Sequence, residues 1–151
     1  MKLKSTTPKS YNAAIRKFFK AAGFSKDPVY LPFSELNPSY QAKHCLDNCL
    51  HAEKERIGTP VYGWIIWEDR SRKFIEAEFH SVICKDGELL DITPRVDGEK
   101  RIMFASDSTR VPRFDGEGWN TFSSIKSMSG TIFEESREVK LGFDPNLTKK
   151  A

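Results

Sequence analysis

The amino-acid sequence predicts an α+β fold in which helices pack on an antiparallel β-sheet. Apolar residues at helical spacing occur near the N-terminus and again over about residues 38–57. Aromatic and β-branched residues, which favour strands, are concentrated between residues 61 and 105. Asp86 and Gly87 interrupt this region as a hairpin signal, because a tight two-residue turn needs positive φ. A chain of 151 residues is large enough to bury a core without disulfides or metal, so we expect a single domain over 1–151.

The first predicted element is a short helix from Ser10 to Ala22. Ser10 is the expected N-terminal cap, and Gly23 is expected to end the helix. Prolines then indicate an extended connection up to about residue 37. The apolar side of the helix predicts packing on the domain, through Ala14, Ile15, Phe18, Phe19 and Ala22.

The second predicted helix begins at Pro38 or Tyr40 and ends at Ile57, before Gly58. Its apolar stripe is broad enough for a helix that lies across a sheet. The stripe contains two of the three cysteines of the chain: Ala42, Cys45, Leu46, Cys49, Leu50 and Ala52.

Four strands are predicted to follow, over about residues 61–67, 74–84, 88–93 and 101–105. Together with the second helix they form the expected catalytic core, residues 38–105. After residue 105 the sequence changes to Ser, Gly, Asp and Pro, which predicts an ordered but irregular segment up to Gly130. We therefore expect residues 106–151 to form an irregular C-terminal extension, with one last strand or helix after Thr131.

The hairpin register decides which side chains share a face of the sheet. With Asp86 and Gly87 as the loop, Cys84 pairs with Leu89 and Val82 pairs with Asp91. His80 and Asp91 are then diagonal neighbours on one face, roughly 7–8 Å apart at the backbone. The opposite face is expected to face the core, with Ile75, Ala77, Phe79, Ile83, Leu90 and Ile92.

Composition excludes several classes of protein. The net charge is +3 and the basic residues are spread along the chain, so no nucleic-acid partner is predicted. The three cysteines are an odd number and too few for a disulfide scaffold, which favours a reducing compartment. The sequence contains no signal peptide and no apolar stretch of about 18 residues, so we expect a cytoplasmic protein without a membrane partner. It does not indicate an oligomeric state.

A histidine oriented by an aspartate is half of a nucleophilic site, and a cysteine on a neighbouring helix would complete it. The thiolate is the reactive form of cysteine, and a nearby imidazolium or a helix N-terminus stabilises it. The aspartate fixes the imidazole ring so that its other nitrogen points at the sulfur. Cys45 and Cys49 are one helical turn apart, so either is a candidate to face His80.

This order of residues resembles the papain-like superfamily, particularly its transglutaminase-like and N-terminal glutamine amidase branches. The segments Cys45–Asn48, Gly63–Trp64, Glu76–His80 and Asp91–Pro94 are similar to a pattern found in bacterial and phage proteins of cysteine-hydrolase type. The resemblance covers roughly residues 41–105. It implies a papain-like or transglutaminase-like core, in which a central helix bearing the cysteine packs on an antiparallel sheet.

The resemblance also implies roles for individual residues. Cys45 would be the nucleophile, His80 the general base and Asp91 the residue that orients it. The substrate would be an amide in a protein or a small molecule, attacked in deamidation, peptide cleavage or acyl transfer. No metal or other cofactor is expected.

Three further expectations concern the surroundings of the nucleophile. Gln41 or Asn48, with a backbone N–H, is expected to receive the oxyanion. Trp64 and Glu78 are expected to contact the substrate. Because a helix dipole acts mainly within the first turn, we also expect the second helix to be broken near residues 42–44, just before Cys45.

Two other classes of function remain open at this stage. A small zinc-binding module would use the cluster His44, Cys45, Cys49 and His51, completed by His80 or Cys84. A non-enzymatic binding or sequestering protein, of bacterial or phage origin, would use its aromatic residues as a partner surface. Trp64, Trp67 and Trp119 are the main candidates for such a surface.

Overall fold

A computed structural model describes residues 3–142 of the chain. In this part of the chain the two α-helices are α1 (Ala13–Ala22) and α2 (Cys45–Lys54). No helix among residues 3–142 is long and apolar enough to cross a membrane. The same residues form ten strands: β1 (Val29–Pro32), β2 (Thr59–Asp69), β3 (Phe74–Lys85), β4 (Glu88–Leu90), β5 (Arg101–Ser106), β6 (Arg113–Phe114), β7 (Gly118–Phe122), β8 (Ile125–Met128), β9 (Thr131–Glu134) and β10 (Glu138–Gly142).

The fold is α+β, and its strands pair antiparallel in two sheets. The larger sheet has the order β1-β5-β2-β3-β8-β9, and β4 pairs with β3 outside this path. The longest ladder joins β2 to β3, from the Thr59–Cys84 pair to the Asp69–Phe74 pair. The smaller sheet has the order β10-β7-β6. The long β2–β3 ladder forms the rigid platform on which the site described below is built.

Helix α1 covers one face of the larger sheet, as its apolar spacing predicts. Its buried residues Ile15, Phe18 and Phe19 belong to the same core cluster as residues of β2, β3 and β5. The predicted cap was wrong by two residues, because the Asn12 side chain rather than Ser10 accepts a hydrogen bond from the Ile15 N–H, at 3.0 Å. Gly23 ends the helix with φ +79°, as expected for a left-handed cap.

Helix α2 begins at Cys45 rather than at Pro38 or Tyr40, and it ends at Lys54 rather than at Ile57. Backbone turns precede it, and Lys43 adopts φ +66°, a left-handed conformation that no helix can continue through. The expected break before Cys45 is therefore confirmed. Cys49 and Ala52 pack α2 against the hairpin, in a core cluster with Tyr40, Ile83 and Ile92.

The Asp86-Gly87 hairpin forms with the predicted register. Asp86 has φ +52° and Gly87 has φ +81°, and the ladder pairs Ile83 with Leu90, Cys84 with Leu89 and Lys85 with Glu88. Strand β4 ends at Leu90 rather than at residue 93. The chain turns away there because Asp91 forms a parallel bridge to Phe33, and its carbonyl accepts a hydrogen bond from the Ser34 N–H at 2.8 Å.

The segment after residue 105 is more regular than its composition suggests. It contains β6, β7 and β8, so the prediction of an irregular segment over 106–130 was wrong. These strands are only two to five residues long and lack the apolar runs by which strands are recognised in a sequence. Their order depends on long-range pairing with β3 and β10. Residues 143–151 of the expected extension lie outside the described residues.

Candidate active site

The candidate site lies at a gap along one edge of β3. Strand β8 pairs with Phe74–Ala77 at this edge, and β4 pairs with Ile83–Lys85. In the described part of the chain, no strand pairs with residues 78–82 at this edge. Their backbone groups and side chains are therefore available for other contacts, and the N-terminus of α2 is placed against them.

Cys45 is the first residue of α2 and contacts β3 at the gap. Its sulfur accepts a hydrogen bond from the Ser81 backbone N–H and shares a second hydrogen bond with the His80 ring. Ladder hydrogen bonds in an antiparallel pair use alternate residues, so Ser81 would be the next residue of β3 to bond β4 after Ile83. Because β4 ends at Leu90, this N–H is free to bond the sulfur.

His80 is held by Asp91 on the face of the sheet that the hairpin register predicts. His80 Nε2 lies 2.9 Å from Asp91 Oδ1, and the two side chains are 5% and 0% exposed. With Nε2 engaged by the carboxylate, Nδ1 is the ring nitrogen that remains for Cys45. Burial keeps water from competing for either bond. The structure thus brings Cys45, His80 and Asp91 together in one chain of contacts.

The electrostatics of the pair favour a thiolate and an imidazolium. Burial alone raises the pKa of the Cys45 thiol, but the His80 charge, its hydrogen bond to the sulfur and the Ser81 N–H outweigh burial, so that this pKa is lowered overall. Burial likewise opposes the charged form of His80, yet the Cys45 charge and the Asp91 hydrogen bond raise the His80 pKa to about 9. The helix N-terminus adds a favourable partial charge at the sulfur.

Cys49 differs sharply from Cys45. It is fully buried in the core cluster beneath α2, and burial followed by the charges of Cys45 and Asp91 raises its pKa well above the ordinary thiol value. A thiol in this state stays protonated and acts as a small apolar side chain. Of the two candidates on α2, the structure places Cys45 against His80.

Arg95 provides a second contact to the orienting carboxylate. Arg95 Nε lies 3.6 Å from Asp91 Oδ2, and the arginine side chain is 12% exposed. The sequence pattern did not single out Arg95. Its position four residues after Asp91, in a loop, carries no periodic signal that could have identified it.

A cavity of about 740 Å³ opens beside Cys45. Cys45 and His80 line it together with Trp67, Glu78 and Arg95, while β7 and β10 of the smaller sheet contribute part of the opposite wall. This volume is within the range of small-molecule and side-chain binding sites in proteins, about 300–1,000 Å³. The strands that sequence reasoning missed therefore help to form the cavity.

The two side chains expected to receive the oxyanion lie elsewhere. Asn48 is fully buried, and its Nδ2 donates to the Gln41 carbonyl and to Thr93 Oγ1, both at 3.0 Å. Both of its amide hydrogens are therefore used, and the residue clamps the turn before α2 to the segment that follows β4. Gln41 is exposed and does not line the cavity. In the first turn of α2, by contrast, the backbone N–H groups of Cys45 and Leu46 have no acceptor within the helix, and both residues line the cavity.

Of the two residues expected to contact the substrate, Glu78 lines the cavity and Trp64 does not. Trp64 is completely buried on the α1 side of the sheet, and its indole N–H donates to Asp107 at 2.9 Å, so the expectation that it contacts substrate was wrong. Strand parity explains the difference, because odd-numbered residues of β2 share a face with even-numbered residues of β3. The tryptophan on the cavity side is Trp67, which this parity rule identifies.

The cluster considered for zinc is dispersed in the fold. His44 Nδ1 lies 3.5 Å from Asp47, His51 is bonded to Tyr40 at 2.9 Å, and Cys49 is in the core. Among residues 3–142, no group of three or more His, Cys, Asp or Glu side chains is arranged to hold a metal ion. Sequence proximity on α2 therefore does not produce a ligand set.

Comparisons with protein-family models, with curated proteins and with solved structures found no match to this chain. The basis for a functional proposal is therefore the chemistry of the site itself.

Proposed function

We propose that this protein is a cysteine-dependent hydrolase or acyltransferase that acts on an amide. Cys45 is the nucleophile, His80 the general acid and base, and Asp91 the residue that orients and stabilises the imidazolium. The observation that carries the proposal is the chain of contacts from the Cys45 sulfur through His80 to Asp91, at the start of a helix and on the wall of a cavity. A papain-like or transglutaminase-like core is part of the same proposal, supported by the order of the three residues.

The proposed reaction begins with attack of the Cys45 thiolate on the amide carbon. The carbonyl oxygen becomes an oxyanion, which the N–H groups at the start of α2 stabilise because the helix dipole is positive there. His80, already protonated, gives its proton to the leaving nitrogen as the carbon–nitrogen bond breaks. The product of this half-reaction is a thioester on Cys45 and a free amine or ammonia.

The second half-reaction releases the acyl group. His80 takes a proton from water or from an amine, which attacks the thioester carbon, and the sulfur leaves as the thiolate. With water the product is a carboxylic acid, and with an amine it is a new amide. Deamidation, peptide cleavage and acyl transfer all pass through this thioester, so they are three outcomes of one proposed site.

Selective alkylation of the three cysteines tests the proposal. Iodoacetamide at neutral pH should label Cys45 far faster than Cys49 or Cys84, with the three sites separated by mass spectrometry of peptides. His80→Ala should remove the difference. His44→Ala is the matched control, since this imidazole is one residue from Cys45 but lies against Asp47, and it should retain selective labelling. Equal labelling of the three cysteines in the wild-type protein would refute the site.

A further inference from the structure

Trp67 and Glu78 form a joined pair on the wall of the cavity. Strand pairing places Ile65 opposite Glu78 and Trp67 opposite Glu76, so Trp67 and Glu78 are diagonal neighbours on one face. The indole Nε1 of Trp67 donates a hydrogen bond to Glu78 Oε1 at 2.9 Å. This bond fixes the carboxylate against the edge of an aromatic ring, and both side chains line the cavity.

The pair lies next to the proposed nucleophile. Alternate side chains of a strand share a face, so Glu78 and His80 point to the same side of β3. The Glu78 carboxylate is exposed, and it is close enough to Cys45 to act electrostatically on the sulfur. A substrate group that contacts Glu78 would therefore lie beside the amide under attack.

The charge around the cavity is suited to a cation. Arg95 is directed at Asp91, at 3.6 Å, and the proposed Cys45 and His80 ion pair is neutral overall. The remaining charged side chains on the described wall are one lysine and three carboxylates, Lys43, Glu78, Asp97 and Glu99. A carboxylate can accept about four hydrogen bonds, so Glu78 retains acceptor capacity beyond the single bond from Trp67.

We propose that Trp67 and Glu78 bind a cationic group of the substrate beside the amide that Cys45 attacks. The substrate class is then an amide with a neighbouring ammonium or guanidinium group, such as a peptide bond next to a basic residue. The aromatic ring attracts the cation through its π face and the carboxylate through its charge. This inference rests on the proposed function, because it assigns a specificity to the same site.

Electrophiles that differ only in charge test the inference without a known substrate. Three chloroacetamides of matched length, ending in an ammonium, a methyl or a carboxylate group, are used to alkylate Cys45, and each rate is measured by mass spectrometry. A cation–π contact and one exposed charge pair together favour the ammonium reagent over the carboxylate reagent by about fivefold to tenfold. Added salt should reduce this ratio, since exposed charges are screened.

Two variants test whether Glu78 and Trp67 cause the preference for the ammonium reagent. Glu78→Gln should bring the ratio of the ammonium to the carboxylate reagent close to one, and Trp67→Phe should lower it partly, because the ring remains but the N–H that fixes Glu78 is lost. Glu88→Gln is the matched control, an exposed carboxylate at the hairpin turn outside the cavity, and it should keep the wild-type ratio. A wild-type ratio near one, or an unchanged ratio in both cavity variants, would overturn the inference.

The methyl reagent separates this failure from failure of the proposed function. If the methyl reagent labels Cys45 selectively over Cys49 and Cys84 while Glu78→Gln leaves the charge ratio unchanged, the thiol site stands and the cation subsite is refuted. If the methyl reagent shows no preference for Cys45, the proposed function itself is refuted, and the inference falls with it.

Discussion

The protonation state of the Cys45 sulfur depends on His80, and replacing that histidine with glutamine measures how much. In the wild-type protein burial opposes the charged form of His80, but the Cys45 charge and the Asp91 hydrogen bond raise its pKa to about 9, so the imidazolium is the favoured form of the ring at pH 7. The imidazolium and the Ser81 N–H stabilise the thiolate and lower the Cys45 pKa. Glutamine removes the positive charge but retains a polar side chain of similar size.

The expected change in His80→Gln is a large loss of thiolate at neutral pH. An ordinary cysteine with a pKa of about 8.5 is about 3% ionised at pH 7. Burial raises the Cys45 pKa and the variant lacks the main effect that opposes burial, so the thiolate fraction of the variant should fall toward that of an ordinary cysteine. The wild-type protein, in which the His80 charge and hydrogen bond lower the Cys45 pKa, should hold a larger thiolate fraction than the variant at the same pH.

The ultraviolet absorbance of the thiolate, measured against pH, gives this fraction directly. The titration of Cys45→Ser, subtracted from that of the wild-type protein, isolates the signal of one sulfur. If His80→Gln had the same thiolate fraction as the wild-type protein at pH 7, the start of α2 and the Ser81 N–H alone would account for the lowered Cys45 pKa. The pairing of Cys45 with His80 would then be refuted as the source of the lowered pKa.

Three other predictions concern the supports of the site. Arg95→Met removes the cation that lies 3.6 Å from Asp91. The carboxylate then acts on His80 without a competing positive charge, so the pKa of His80 should rise and the alkaline decline in turnover of an amide substrate should move to higher pH. An unmoved pH profile would refute a positioning role for Arg95. Gly63→Ala directs a Cβ at the Ala105 carbonyl oxygen in the adjacent strand. The free energy of unfolding, measured by thermal denaturation, should therefore fall by about 1–3 kcal/mol. Wild-type stability would contradict this close packing. Asn48→Ala removes the hydrogen bonds to the Gln41 carbonyl and to Thr93 Oγ1, so it should lower the free energy of unfolding by about 1–3 kcal/mol and slow the alkylation of Cys45. Asn48→Asp should restore only part of both. An alanine variant with wild-type stability and reactivity would show that Asn48 does not hold the site together.

Local rules were sufficient to predict that His80 and Asp91 lie on one face of the hairpin. The Asp86-Gly87 turn sets the hairpin register, and the register places His80 and Asp91 on one face. The same parity places Glu78 and His80 on one face of β3 and Ile75 and Ala77 on the other, against α1. These predictions succeed because a tight turn and a period of two leave little freedom along a short hairpin.

The rest of the site depends on contacts between distant parts of the chain. The smaller sheet, which forms part of the cavity wall, is built from short strands with weak local preference, and β7 is ordered by pairing with β10. Parity places Trp64 and Trp67 on opposite faces of β2, but it does not say which face a helix covers. The packing of α1 on the Trp64 face makes Trp64 a core residue and leaves Trp67 on the cavity wall.

The early end of β4 has two consequences that together create the proposed site. Pairing of Asp91 with Phe33 draws the chain away from β3, which leaves the Ser81 N–H for the Cys45 sulfur. The same departure leaves the Asp91 side chain on the face of His80, where its Oδ1 reaches the ring at 2.9 Å. If β4 continued along β3, the Ser81 N–H would donate a hydrogen bond to β4, and the gap in which α2 packs would be closed. The proposed catalytic arrangement therefore depends on where the hairpin stops pairing, as much as on which residues it carries.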